Sequence, residues 1–156
     1  MFSKILVPVD FCDLSEGPLE LALRLVAPGG EVVVLSVIDD LCPNPDVFAF
    51  QLPWADFHRQ LEEEAERRLA DLVAKTGAPS RAAARGMRGQ PARTIVRVAS
   101  EEGFDLVVMA THGARGLQHA LLGSVTDKVI RQVQCPVLVV RLHPLVPAGG
   151  ATGART

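Results

Sequence analysis

Hydrophobic positions fall along this chain in two alternating textures: short unbroken apolar runs, and longer stretches in which apolar residues recur every three or four positions. "KILVPVD" is apolar until its closing acid, the pattern of a strand covered on both faces, and it predicts a first strand over Lys4–Val9. From Ser15 onward Leu19, Ala22, Leu23 and Val26 keep helical spacing, with Pro28-Gly29-Gly30 as the expected stop. "EVVVLSVID" predicts a second strand over Val32–Ile38, and the Pro- and Asp-rich stretch from Asp39 to Pro53 reads as a long loop. In "ADFHRQLEEEAERRLADLVAKTG" the residues Phe57, Leu61, Ala65, Leu69 and Leu72 form one stripe, acids lead bases, and Gly77 closes the clearest helix of the chain.

The second half continues the rhythm. "SRAAARGMRG" is a weaker strand, placed at Arg81–Arg85 because the alternation requires one there. Pro91 suits a first helical position, Ile95, Val98 and Ala99 make a stripe, and Gly103 is fit to end that helix. "DLVVMA", "GSVTDKVIRQV" and "CPVLVVRL" then read as strand, helix and strand, with Ser124 near the helix N-terminus. Strictly alternating strands and helices with near-continuous apolar strands imply right-handed crossovers and a parallel sheet. The expected fold class is therefore α/β: a single doubly wound, Rossmann-like, five-stranded parallel sheet of flavodoxin-type order 3-2-1-4-5, with helices on both faces. One domain is expected over residues 1–142, followed by a Pro/Gly/Ala-rich tail over 143–156 that is expected to be mobile.

Composition narrows the classes of partner. A length of 156 residues, 48% hydrophobic, suits one domain that buries roughly two-thirds of its unfolded surface. A formal net charge of −2 supplies no basic face for nucleic acid or for an acidic membrane. Cys12, Cys42 and Cys135 are odd in number, scattered and without a Cys-x-x-Cys pair, which signals neither a disulfide framework nor a zinc site. The opening "MFSKILVPVDF" meets Asp10 too early for a signal peptide, and no apolar run reaches the ~18 residues of a membrane helix. A cytoplasmic protein with reduced thiols is expected.

In an open α/β sheet of this order, ligands bind beyond the carboxyl ends of the strands where the order reverses, between the first and fourth strands. Asp10 ends the first strand and "ATHG" ends the fourth, so an acid and a glycine loop converge on one crevice. Glycine carries an entropic cost, so Gly113, Gly116 and Gly123 are expected to use positive φ or close backbone approach. The loop amides, the helix start at Gly123-Ser124 and the hydroxyls of Ser124 and Thr126 would suit a phosphate. The same glycines are also ordinary turn formers.

The spacing adds more. Gly113, nine intervening residues and then Gly123-Ser124 resemble the glycine signature of the universal stress protein family, whose pattern is Gly-x-x-Gly, nine residues, then Gly-Ser or Gly-Thr. The resemblance runs from about Phe2 to Leu142 and includes "KILVPVDF", "LSEGPLELAL", "GQPARTIVRVASEEGFDLVVMATHG" and "LLGSVTDKVIRQVQCPVLVVR". It implies a homodimer through the C-terminal edge strand and, in one subclass, an ATP site; another subclass lacks the loop and binds no ATP. Asp10 and Val37 resemble the positions flanking adenine and ribose, with Pro8 and Val9 beside them. Met109, Ala110, His112 and Gly113 resemble the loop at ribose and phosphates, while Gly123, Ser124, Val125 and Thr126 resemble the triphosphate cradle. One residue departs: Ala110 stands at the first glycine of the signature.

Several single residues keep two readings. Asp10 binds a ribose hydroxyl or a magnesium ion shared with the phosphates, or else caps the first helix. His112 touches the nucleotide or its own loop backbone, and Arg115 reaches phosphates although the family's basic residue usually sits at the Ala114 position. Trp54, expected in the loop after the second strand, is a lid or an anchor. The functions in play are an ATP-binding, stress-response regulatory module with Mg and an unidentified protein partner, a slow ATP hydrolase or phosphotransferase, and a non-nucleotide interaction module. The chain has neither a Walker lysine nor a kinase-like set, so hydrolysis is expected to be slow at most.

Overall fold

The computed structural model describes residues 1–10, 16–39, 54–77, 79–111 and 122–141. Its elements are β1 (Phe2–Val9), α1 (Glu16–Leu25), β2 (Val26–Ile38), α2 (Trp54–Lys75), a 3-10 turn (Pro79–Arg81), β3 (Ala82–Arg88), α3 (Pro91–Glu101), β4 (Leu106–Ala110), α4 (Ser124–Gln132) and β5 (Val137–Val140). The strands form one parallel sheet in the order β3-β2-β1-β4-β5, as the alternation predicted.

Alternation of side chains across the sheet divides the core into two layers. Ile5, Val7, Val9, Val32, Val34, Leu106 and Val108 pack with Leu19 and Ala22 of α1 and with Leu69, Leu72 and Val73 of α2. Leu6, Val33, Leu35, Val107 and Met109 pack on the opposite side with Ala92, Ile95, Val98 and Ala99 of α3 and with Val129 of α4. The interiors of β1, β2 and β4 therefore meet apolar cover on both faces, which is why these strands read as apolar runs.

Several boundaries differ from expectation. Val26, taken as the last residue of the first helical stripe, instead opens β2, where its side chain is 2% exposed. Pro28-Gly29-Gly30 then lies inside that strand: Phe2 pairs with Val26 but Lys4 pairs with Glu31, so the intervening residues bulge outward. Gly29 takes φ 77, and a Cβ on Gly30 would stand 2.7 Å from the Ser3 carbonyl oxygen. The Pro-Gly-Gly signal thus marks a bulge in a strand. Trp54 is not in a loop but is the first residue of α2. β3 ends at Arg88, three residues beyond Arg85, and pairs with β2 as far as Ile38↔Arg88.

Helix α3 has the ends its sequence announces. Gln90 is its N-cap and accepts from the Arg93 amide at 2.7 Å, followed by Pro91 in the first turn. At the other end Gly103 takes φ 68 and the Phe104 amide donates to the Ala99 carbonyl at 3.0 Å, a Schellman closure. Just beyond, the Asp105 carboxylate accepts from the Ser3 and Lys4 amides at 2.7 and 3.0 Å, tying the start of β4 to β1.

Candidate functional site

The carboxyl ends of the strands form a crest, and the sheet opens at its centre. The β1–β2 register continues to Val9↔Ser36 and the β4–β5 register to Ala110↔Val140. Between β1 and β4, by contrast, the paired register covers Ile5↔Leu106 and Leu6↔Val107, short of both strand ends. This is the switch point of strand order, the place where a ligand finds room between strands.

Register assigns the expected site residues to faces. Pro8 is paired with Leu35, and Val37 with Met87. With Met109 they lie on the α3/α4 side, where Val37 and Met87 pack against the edge of the core. Val9 belongs to the opposite core layer, and Ala110 lies on its side too. Asp10 is exposed one residue past β1. His112, Gly113 and Arg115 lie outside the described residues, as do Ala114, Gly116, Cys12, Cys42 and the expected tail.

The N-terminus of α4 is anchored on the end of β4. The Gly123 amide donates to the Thr111 carbonyl at 2.7 Å, and the Thr111 amide donates to the Val140 carbonyl at 3.0 Å. Thr126, 4% exposed, donates its hydroxyl proton to the Ala110 carbonyl at 3.1 Å. That hydroxyl, expected as a donor to phosphate, here fixes α4 against β4. Gly123 is the N-cap with φ −69 and ψ 154, so of the two reasons expected for this glycine the positive φ does not apply. An N-cap residue sits in the extended region open to any residue. Among the described residues no side chain caps the helix, and its first amides at Ser124 and Val125 lie at the positive end of the dipole. Asp127, in the same first turn, is held by Arg131, whose Nε donates to both carboxylate oxygens at 3.0 Å. The guanidinium keeps that carboxyl below the usual range and offsets its charge near the helix mouth.

A wall of the crest went unread in the sequence. Gly89 takes φ 141, its amide donates to the Ile38 carbonyl at 3.0 Å, and a Cβ there would stand 2.6 Å from Thr94 Oγ1. The turn between β3 and α3 is thereby drawn against the end of β2, beside Val37. The available signal was the glycine directly before the Gln90-Pro91 cap, where a tight turn needs a residue without Cβ. Cys135, read as a packing residue, is half-buried at the opposite end of the sheet, where burial pushes its thiol pKa up. It lines a hollow of about 210 Å³ with Phe104 and Val133. Among the described residues no three His, Cys, Asp or Glu side chains cluster as a metal site, and no helix is long and apolar enough to cross a membrane.

Strand order β3-β2-β1-β4-β5, with an opening at its switch point, defines a doubly wound α/β protein. The family model described as the Universal stress protein family matches residues 1–141, and the chain belongs to that family. It is 32% identical over 161 residues to universal stress protein MJ0577 of Methanocaldococcus jannaschii, with 90% of this chain and 96% of that one covered. A Thermus aquaticus universal stress protein is 34% identical over 142 residues, covering 90% of this chain and all, 100%, of its own. The solved MJ0577 structure superposes with a TM-score of 0.78 over 92% of this chain and 99% of that one. The fold is shared, at 22% identity and TM-score 0.66, with a universal stress protein in complex with cAMP; 89% of this chain and 97% of that one are covered. It is shared again, at 19% identity and TM-score 0.61, with an Arabidopsis thaliana family protein with AMP bound, covering 95% and 99%.

Proposed function

We propose that the crest binds ATP together with Mg, and that the chain is a nucleotide-dependent regulatory module of the stress response rather than a fast enzyme. The observation that carries this reading is the mouth of α4: without a side-chain cap among the described residues, held on β4 by Thr126 and Gly123, and set beside the opening between β1 and β4. Phosphate oxygens would accept from the Ser124 and Val125 amides and the Ser124 hydroxyl, with the helix dipole favouring their charge. Pro8 and Val37, both partly exposed, supply an apolar surface on the same face for a purine, with Met109 buried in the core on that side. Asp10 offers one carboxylate oxygen to a magnesium ion, which takes one or two protein carboxylates and completes its shell with phosphate and water. Two proteins of this fold carry cAMP and AMP, ligands of the class proposed.

The reading extends to assembly and location. The domain spans residues 1–142, acts as a homodimer paired through β5, meets an unidentified protein partner, and resides in the cytoplasm. Denaturing the purified protein and weighing what is released by mass spectrometry tests the nucleotide. Released or titratable MgATP is expected, and a chain that neither releases nor takes up any nucleotide overturns the proposal.

A further inference from the structure

We infer that the Ala110 methyl points to the α1 face of the sheet, away from the mouth of α4, so that alanine replaces the signature glycine without narrowing the nucleotide cradle. Within β4 the side chains alternate: Leu106 and Val108 enter the α1-side core, Val107 and Met109 the α3/α4-side core. Ala110 follows Val108 in this alternation, and its ladder partner Val140 packs on the α1-side core as well. The helix mouth meets the strand at a different group of the same residue: the Ala110 carbonyl accepts from Thr126 Oγ1. Ala110 is the last paired residue of β4, an extended position that alanine adopts without strain. Neither of the two reasons for glycine, positive φ or a close approach from the cradle side, then operates at this residue. The methyl therefore stands on the α1 face, on the other side of the sheet from α4.

The inference rests on the nucleotide reading for its consequence, but not for the placement of the methyl. Titration calorimetry with MgATP and thermal melting are run on the unmodified chain, Ala110→Gly and Ala110→Val. Ala110→Gly is expected to bind within about twofold of the parent and to melt about 2–4 °C lower, from a freer unfolded chain. Ala110→Val, which adds bulk on the α1 face, is expected to keep its affinity; Ala110→Ser takes its place if that variant does not fold. Binding at least about tenfold tighter in Ala110→Gly, or lost binding with an unchanged melting point in Ala110→Val, overturns the inference. If the parent takes no MgATP, the nucleotide reading fails separately. Nuclear Overhauser contacts of the Ala110 methyl then decide the placement: contacts to the Val140 methyls support it, and contacts to α4 side chains refute it.

Discussion

Gly123 carries the sharpest single-residue consequence of the proposed site. Its φ of −69 is open to any residue, so valine there leaves the chain path intact while placing an isopropyl group over the mouth of α4. Gly123→Val is expected to abolish MgATP binding in a calorimetric titration while the far-ultraviolet circular dichroism stays that of the parent. Ser124→Ala removes one hydroxyl from a charge-assisted bond, a loss of roughly 1.5–3 kcal/mol, or about ten- to a hundredfold in affinity. Unchanged affinity in both variants would place the ligand elsewhere. Thr126 shows the limit of reading residues by type. Its hydroxyl looked like one more phosphate donor, yet the Ala110 carbonyl stands 3.1 Å away and the side chain is buried. Nothing in the sequence tells a hydroxyl aimed at a ligand from one aimed at the adjacent strand.

Elements were legible where a period had room to establish itself. The stripe of α2 and the Pro91 and Gly103 limits of α3 span several turns, and both helices are found, α3 from Pro91 to Glu101 as the spacing placed it and α2 from Trp54, a residue expected in the preceding loop. Val26 misled because one apolar residue after a helical stripe fits either period, and Pro-Gly-Gly punctuates strands through bulges as readily as it stops helices. The bulge makes a prediction of its own. At Gly30 a Cβ would meet both the Ser3 carbonyl and the Val26 side chain at 2.7 Å, so Gly30→Val should overpack the junction of β1 and β2. A loss of about 1–3 kcal/mol is expected in urea unfolding, with the m-value preserved. At the same end of the sheet the Glu102 carboxylate bridges β3 and β1, bonded to the Arg85 guanidinium and lying 3.8 Å from the Lys4 ammonium. Arg85 above all, and Lys4 with it, lower its pKa. A carboxyl with a depressed folded pKa contributes stability that is present above its unfolded value and is lost as pH falls through the folded one. Glu102→Gln should thus be less stable than the parent by up to about 1 kcal/mol at neutral pH. The two should converge as the pH drops below about 4.3.

On the scale of the whole molecule, the strand order was predictable because right-handed crossovers between unbroken apolar strands leave few arrangements. The order in turn located the crest, since the reversal between β1 and β4 follows from it. The proposed assembly draws on what the order leaves at the margin: β5 is an edge strand of four aliphatic residues, all half-buried and without the charged residues that commonly guard an edge. Val139→Pro removes a backbone donor from that edge and is expected to shift the protein toward monomer in light scattering at micromolar concentration. An unmodified chain that is itself monomeric there would refute pairing through β5. Thr111 gives the two proposals a common term. Its amide is bound to the carbonyl of Val140, the last residue of the edge strand, and its carbonyl is bound to the amide of Gly123, the cap of the helix mouth. Any free-energy coupling carried through that residue is reciprocal: the factor by which a bound anion shifts self-association equals the factor by which self-association shifts anion affinity.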